Sequence, residues 1–163
     1  MVAGAASFKL GARESWVDLM ADGHRWDFKD RILLRMGNSI RLCDGDECGW
    51  YDYSTPGNIH YGYVGRAAGW NTVELHLGAT YAQQTDPENV PELNAWHGDQ
   101  PGDFQAIEMG ARMYGICFRN ASLACFQAAL KQYKAGLARS APPLIPYYSF
   151  YGTSYPLGYF NGG

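Results

Sequence analysis

The chain has 163 residues, of which 47% are hydrophobic, 18% charged and 15% aromatic, a composition that fits one globular domain and excludes disorder and collagen-like repeats. Thirteen Lys plus Arg against sixteen Asp plus Glu leave a formal charge of −3, so the chain lacks the positive field that supplies most non-specific affinity for nucleic acid. No stretch approaches the ~20 apolar residues of a membrane span, and Met1 to Leu10 lacks the apolar run of a signal peptide; the chain as it stands is expected to be soluble, with any export signal elsewhere.

In chain order, Ala12 to Ala21 predicts a short amphipathic helix stopped by Asp22-Gly23. Trp26-Asp27-Phe28-Lys29 follows as a turn or helix start, and the apolar run Arg31 to Met36 ends at Gly37-Asn38. Residues 39 to 53 carry the one plausible strand pair, around the turn Asp44-Gly45-Asp46-Glu47. Ser54 to Asn58 is expected to be a loop, and Tyr61 to Gly69 a glycine-bearing helix that can approach a neighbouring backbone closely. Asn71 or Thr72 caps a helix running to about Gln84, with Glu74 in the capping-box place and Val73, Leu77, Thr80 and Tyr81 on one face. Thr85 to Gly102 is loop, Pro101-Gly102-Asp103 opens a helix to about Cys117, and Asn120 caps a last helix over Ala121 to Arg139. Four prolines and repeated Tyr and Gly then make 141 to 163 an extended tail that packs back onto the domain at 1 to 140.

The fold expected is mainly α, a compact helical domain of about five helices with one small β-hairpin and an extended Tyr/Pro-rich C-terminal tail; α+β with a larger sheet is the alternative. If residues 39 to 53 pair as a hairpin, Cys43 and Cys48 face each other near disulfide reach, which favours an oxidising destination; a loop with two free thiols is the other reading. Cys117 and Cys125, eight apart on predicted core helices, are expected to be inert thiols, and the four cysteines lack the paired spacing of a zinc site.

The most distinctive run is Pro56-Gly57-Asn58-Ile59-His60-Tyr61-Gly62-Tyr63-Val64-Gly65-Arg66-Ala67-Ala68-Gly69. It lacks the Gly-Lys-Ser/Thr end of a phosphate loop. It resembles instead the hallmark segment of the type 44 toxin domain of bacterial polymorphic toxins, Gly-Asn-x-x-Tyr-Gly-x-x-Gly-x-x-x-Gly, through Gly57, Asn58, Tyr61, Gly62, Gly65 and Gly69. Trp26-Asp27-Phe28-Lys29 stands where the family has Trp-Asp-Tyr-Lys, and Gln83 followed by Gly98-Asp99-x-Pro101-x-Asp103 stands where it has a Gly-Asp-x-Pro-x-Asp helix entry. The resemblance covers about residues 13 to 117; the Cys43 to Cys48 segment and the tail depart from it. It implies the C-terminal toxic domain of a larger secreted effector, carried by a delivery module into competing bacteria and neutralised at home by a cognate immunity protein, with ribonuclease activity suggested for the family.

The chemistry follows from the residues. Asp99 and Asp103 flank Pro101 at a helix mouth, where the macrodipole favours negative charge, and Asp27 lies beside Trp26 and Lys29. Two carboxyl groups are what glycoside hydrolysis requires; helix capping for Asp99 and Asp103, and an ordinary ion pair for Asp27, are the structural alternatives. Glu14, on an apolar-flanked helix, is a candidate general acid, and His60, inside the hallmark run, a candidate base. Candidate substrate contacts are Trp26, Lys29, Asn58, Tyr61, Arg66 as an anion clamp, Gln83 and Trp96, with Trp26, Tyr61 and Trp96 lining a cleft. His97 and Asp99 have no second ligand pair, so no metal and no cofactor is expected.

Three function classes result. The acidity, the twelve Tyr, seven Phe and five Trp, the carboxylates and the Cys43–Cys48 pairing favour a hydrolase of peptidoglycan glycan acting in the target periplasm. The alternative is a ribonuclease toxin in the target cytoplasm, and the third class is a binding module without catalysis, using the tail as its surface.

Overall fold

A computed structural model of the chain describes residues 3–21, 23–85, 101–118 and 121–143. They form six helices and one hairpin: α1 (Ala3–Met20), α2 (Lys29–Met36), β1 (Ser39–Cys43), β2 (Cys48–Asp52), α3 (Thr55–Ala67), α4 (Thr72–Thr85), α5 (Pro101–Cys117) and α6 (Leu123–Tyr133). The expected mainly α architecture with one small hairpin is what the chain adopts, with six helices rather than five. Most of the tail, 144 to 163, and Asp99 and Trp96 lie outside the described residues.

Helices α3 and α5 are the central pair and carry a core on each side. On one side Ile59 of α3 and Ala106, Met109 and Met113 of α5 pack with Tyr51 of β2 and Ala129 and Leu130 of α6. On the other, Ile107 and Ala111 of α5 pack with Trp16 of α1 and Leu75 of α4. Each fully buried Leu, Ile or Met here contributes roughly 1.5–3 kcal/mol of apolar transfer. The central pair is therefore sandwiched between α1 with α4 and the hairpin with α6.

The hairpin has the expected register, with Cys43 opposite Cys48 and Ser39 opposite Asp52, and the two cysteines form a disulfide. Its turn is held from within: Asp44 Oδ1 accepts the amides of Asp46 and Glu47, and Gly45 takes the left-handed φ of +100° that the bend requires. Lys134 of the α6 C-terminus donates to both Asp44 and Glu47 at 2.7 Å, and Lys131 pairs with Asp46. The Asp44 side chain is only 1% exposed. Its hydrogen bond from Lys134, with those from the two turn amides, holds its carboxyl well below the usual range, and the same pairing raises Lys134.

Five local expectations are corrected. The first helix begins at Ala3, not Ala12, and α3 begins at Thr55, where a loop was expected, because Pro56 in a first turn has no N–H to lose and a φ already helical. The capping box of α4 forms as read, Asn71 and Glu74 exchanging bonds of 2.7 and 2.9 Å. Its expected apolar face does not: Val73, Leu77 and Tyr81 are exposed and Leu75 with Ala79 faces the core. The last helix is capped by Ser122 Oγ, which accepts from the Cys125 amide, and ends at Tyr133 rather than Arg139. Past Gly136 the chain turns extended and pairs along β2, with Asp52 N donating to Ala138 O and Ser140 N to Trp50 O, so it covers a sheet edge that would otherwise stay open. Last, Cys117 and Cys125 are joined as a disulfide tying the end of α5 to the start of α6, and are not the inert thiols expected.

Candidate active site

The N-terminal ends of α2, α3 and α5 meet at one end of the molecule. Gly57, in the first turn of α3, lies against Lys29, the first residue of α2; a Cβ at 57 would come within 3.0 Å of the Lys29 stem. Ser54, just before α3, donates from its hydroxyl to Asp103 Oδ1 of α5 at 3.1 Å, and its amide donates to Asp52 Oδ1 at 2.8 Å. Asp27 sits in the turn before α2 with both oxygens used, Oδ2 accepting from Gly23 N and Oδ1 from Lys29 N, each at 3.1 Å. These contacts draw carboxylates from three separate segments toward one end.

Tyr53 registers that convergence. Its hydroxyl is raised above its ordinary pKa by burial first, and then by the negative charges of Asp52, Asp30, Asp103 and Asp27. Burial and four carboxylate charges thus act on this half-buried phenol in the same direction, against its ionisation. On α3 the His60 imidazole is packed against Phe28, 4.8 Å away between ring centres, and Trp26, 6.1 Å away and edge-on. Burial lowers the His60 pKa, so its neutral form prevails at neutral pH.

Three buried polar atoms here have no hydrogen-bond partner among the described residues: the Thr55 hydroxyl, the Asn58 side-chain nitrogen and His60 Nδ1. Thr55 is fully buried and Asn58 is 5% exposed. Trp16, Trp70 and His76, away from this end, likewise carry buried ring nitrogens without a hydrogen-bond partner among the described residues, so the three atoms do not by themselves mark a site.

The sequence candidates divide cleanly. Asp27, Lys29, Trp26, Asn58, His60 and Asp103 all belong to this end. Four others are placed elsewhere. Glu14 is exposed on α1. Tyr61, assigned to a cleft, packs on Trp16 at 4.8 Å and donates to Leu75 O at 3.0 Å. Arg66, assigned as an anion clamp, donates to the Trp70 carbonyl at 2.7 Å and so closes the end of α3. Gln83 is half-buried on α4. Asp30, Asp52, Tyr53 and Ser54 were missed; the signal available was the run Asp52-Tyr53-Ser54, polar residues wedged between a strand and a proline-started helix. Among the described residues no group of three or more His, Cys, Asp and Glu side chains is arranged to hold a metal ion.

The hallmark residues acquire separate reasons. Gly57 makes room for Lys29, Gly62 for the backbone of α5, and Gly65 for Leu75 and Trp16, while Gly69 ends the helix at φ +95°. With Tyr61 bonded to α4, the hallmark side chain left without a packing or hydrogen-bonding assignment is Asn58.

No curated protein and no solved structure matches the chain. The family model described as bacterial toxin 44 matches residues 15–115, a span that runs from α1 through the central helix pair and includes all three converging helix ends. The chain belongs to the bacterial toxin 44 family.

Proposed function

We propose that this toxin domain is a carboxylate-dependent hydrolase of the peptidoglycan glycan strand, with its catalytic site at the converging ends of α2, α3 and α5. The observation that carries the reading is the gathering of Asp27, Asp52 and Asp103 at the heads of α2, α3 and α5, through Ser54 bonded to both Asp52 and Asp103 and Gly57 lying against Lys29. A phosphodiester brought to that end meets repulsion, whereas an uncharged glycosidic bond meets the two groups its cleavage needs, one carboxylic acid to protonate the leaving oxygen and one carboxylate to attack or to activate water. Asp27 and Asp103 fill these roles. Asp27 is fixed by two amides and Asp103 by the Ser54 hydroxyl, so both are pre-oriented. None of these steps calls for a cofactor.

Two disulfides among four cysteines accord with action in an oxidising compartment, the target-cell periplasm, after secretion by the effector's delivery module. The cognate immunity protein protects the producer. No helix of the described residues is long and apolar enough to cross a membrane.

A ribonuclease is the second reading, favoured by one observation: burial keeps the His60 imidazole neutral, the form a general base for a ribose hydroxyl takes. The two readings part in one experiment. Purified sacculi and total cellular RNA are incubated separately with the domain, and products are resolved by mass spectrometry and by gel. New muropeptides with intact RNA are expected; degraded RNA with no muropeptide release at high enzyme concentration reverses the assignment.

A further inference from the structure

Residues 25 to 41 hold five of the chain's thirteen Lys and Arg but only two of its sixteen Asp and Glu, a cationic stretch in a chain of formal charge −3. All five cations, Arg25, Lys29, Arg31, Arg35 and Arg41, are exposed, and none makes an ion pair with a described residue. Arg13, Arg112, Lys131 and Lys134, outside the stretch, are each paired with a carboxylate. Asp27, inside it, gives both oxygens to backbone amides instead. On α2 the charge forms a stripe. Arg31, Leu34 and Arg35 stand at i, i+3 and i+4 and so share one face of the helix, with the exposed Asp30 at its edge. Leu34 is 70% exposed, and none of the eight residues of α2 is buried. The Arg31 guanidinium lies 6.0 Å from the centre of the Phe28 ring, a contact that restrains it without neutralising it. Arg35 gains from the helix C-terminus, but Arg31 one turn earlier repels it.

We infer that this face of α2 docks an acidic polypeptide segment, whose carboxylates pair with Arg31 and Arg35 and whose apolar side chain covers Leu34. Opposite charges flanking an apolar anchor are the pattern of an interface centre, where Arg is enriched and a few residues carry most of the affinity. Two other anionic partners fit less well. A phosphodiester backbone supplies charge but nothing apolar to cover Leu34. An anionic bilayer takes Leu34 alone: Met36, also exposed, lies two positions on and so points to nearly the opposite side of the helix, while Ile32 and Leu33 are already half-buried. The docking surface is independent of which bond the domain cleaves.

The test titrates the full chain by calorimetry with a Glu-rich random copolymer of Glu and Tyr, and with poly-L-glutamate, an oligoribonucleotide and vesicles of phosphatidylglycerol and phosphatidylcholine as comparison probes. Wild type is expected to bind the copolymer about ten-fold more tightly than poly-L-glutamate, because only the copolymer covers Leu34, and Leu34→Ser to abolish that difference. Arg31→Glu with Arg35→Glu is expected to weaken copolymer binding by about 30-fold or more. Arg112→Glu with Lys131→Glu, the same change in net charge at exposed positions off α2, is expected to weaken it by less than about three-fold. All five substituted side chains are exposed, so unfolding curves are expected to stay close to wild type. Hydrogen exchange on wild type needs no variant: the copolymer is expected to raise protection in α2 and not in α6. Equal wild-type affinity for copolymer and poly-L-glutamate, equal losses in the two double variants, no added protection in α2, or tighter binding of the oligoribonucleotide or the vesicles each overturns the inference.

Discussion

Gly62 of α3 and Gly110 of α5 face each other across the centre of the fold, each pressed against the backbone that carries the other. A Cβ on Gly62 would collide with the Ile107 carbonyl and the Ala111 amide, which bracket Gly110; a Cβ on Gly110 would collide with the Ile59 carbonyl and the Tyr63 amide, which bracket Gly62. Backbone cannot step aside as a side-chain tip can. This reciprocal contact sets the spacing of α3 and α5, and with it the distance between Ser54 at the head of one helix and Asp103 at the head of the other.

Gly62→Ala or Gly110→Ala is therefore expected to destabilise the domain by about 3 kcal/mol, at the upper end of overpacking effects, lowering Tm by roughly 10 °C for a chain of this length. Gly115, on the same helix α5 as Gly110, has nothing within 4 Å of its Cβ position. Gly115→Ala is expected to raise stability by about 0.5–1 kcal/mol through the entropy it removes from the unfolded chain. Thermal unfolding followed by circular dichroism checks both. Equal effects at 110 and 115 would mean that helix propensity, not close approach, governs these glycines.

The disulfides give a second prediction. Cys43–Cys48 closes the hairpin whose tip is salt-bridged to Lys131 and Lys134, and Cys117–Cys125 binds the first turn of α6 to the end of α5, so both restrain α6. Closing loops of 5 and 8 residues constrains the unfolded chain by roughly 2 kcal/mol apiece. Reduction with dithiothreitol is expected to lower Tm by about 10 °C, and α6 amides to lose hydrogen-exchange protection before those of α3. Four titratable thiols in the denatured, unreduced protein would contradict it.

The hairpin, the capping box of α4 and the close packing of α3 were legible because each depends on residues within one short segment: a turn between cysteines, Asn71 with Glu74, glycines at helical spacing. The errors came from long-range context. Pro56 looks like a loop residue until β2 is seen to deliver the chain directly into α3. Val73, Leu77 and Tyr81 have the right spacing for a buried stripe, but α5 takes up Leu75 instead. The site was half legible on the same grounds. Asp27, Asn58 and Asp103 stood in recognisable motifs, whereas Asp30, Asp52 and Tyr53 join them only when three helix ends converge, and no local pattern announces that.

Stability is expected to depend on pH through two histidines. Burial lowers both His60 and His76 in the folded state, the Glu108 contact only partly opposing this at His76. In the unfolded chain each titrates near 6.5. Between that value and the lower folded one the unfolded state binds more protons, so stability is complete above about pH 6.5 and declines as pH falls below it. The urea midpoint is expected to drop between about pH 6.5 and 5, and His60→Gln with His76→Gln to flatten that slope. A midpoint rising over the same interval would show that the histidines gain, rather than lose, from protonation in the fold.

The last prediction separates chemistry from scaffolding at the carboxylate end. Asp103 accepts a hydrogen bond from Ser54, and Asp27 caps the turn into α2, so a purely structural role for either would appear as lost stability. Asp103→Asn keeps an acceptor for the Ser54 hydroxyl, whereas Asp27→Asn keeps one for only one of the two amides, Gly23 N or Lys29 N, and turns an NH2 toward the other. Asp103→Asn is thus expected to unfold within about 1 kcal/mol of wild type, the cost of a charged-to-neutral acceptor change, and Asp27→Asn to cost about 1–3 kcal/mol for the amide it leaves unpaired. Activity on sacculi should respond differently, falling by roughly 10²–10⁴-fold in each, as when a group that transfers a proton or attacks the substrate is removed. Tyr53→Phe removes the hydroxyl among the four carboxylates but no proton-transferring carboxyl, and its loss is expected to be smaller. Measured muropeptide release and unfolding curves on the same preparations decide the matter: a variant that is as stable as wild type and as active as wild type places that carboxylate outside the reaction.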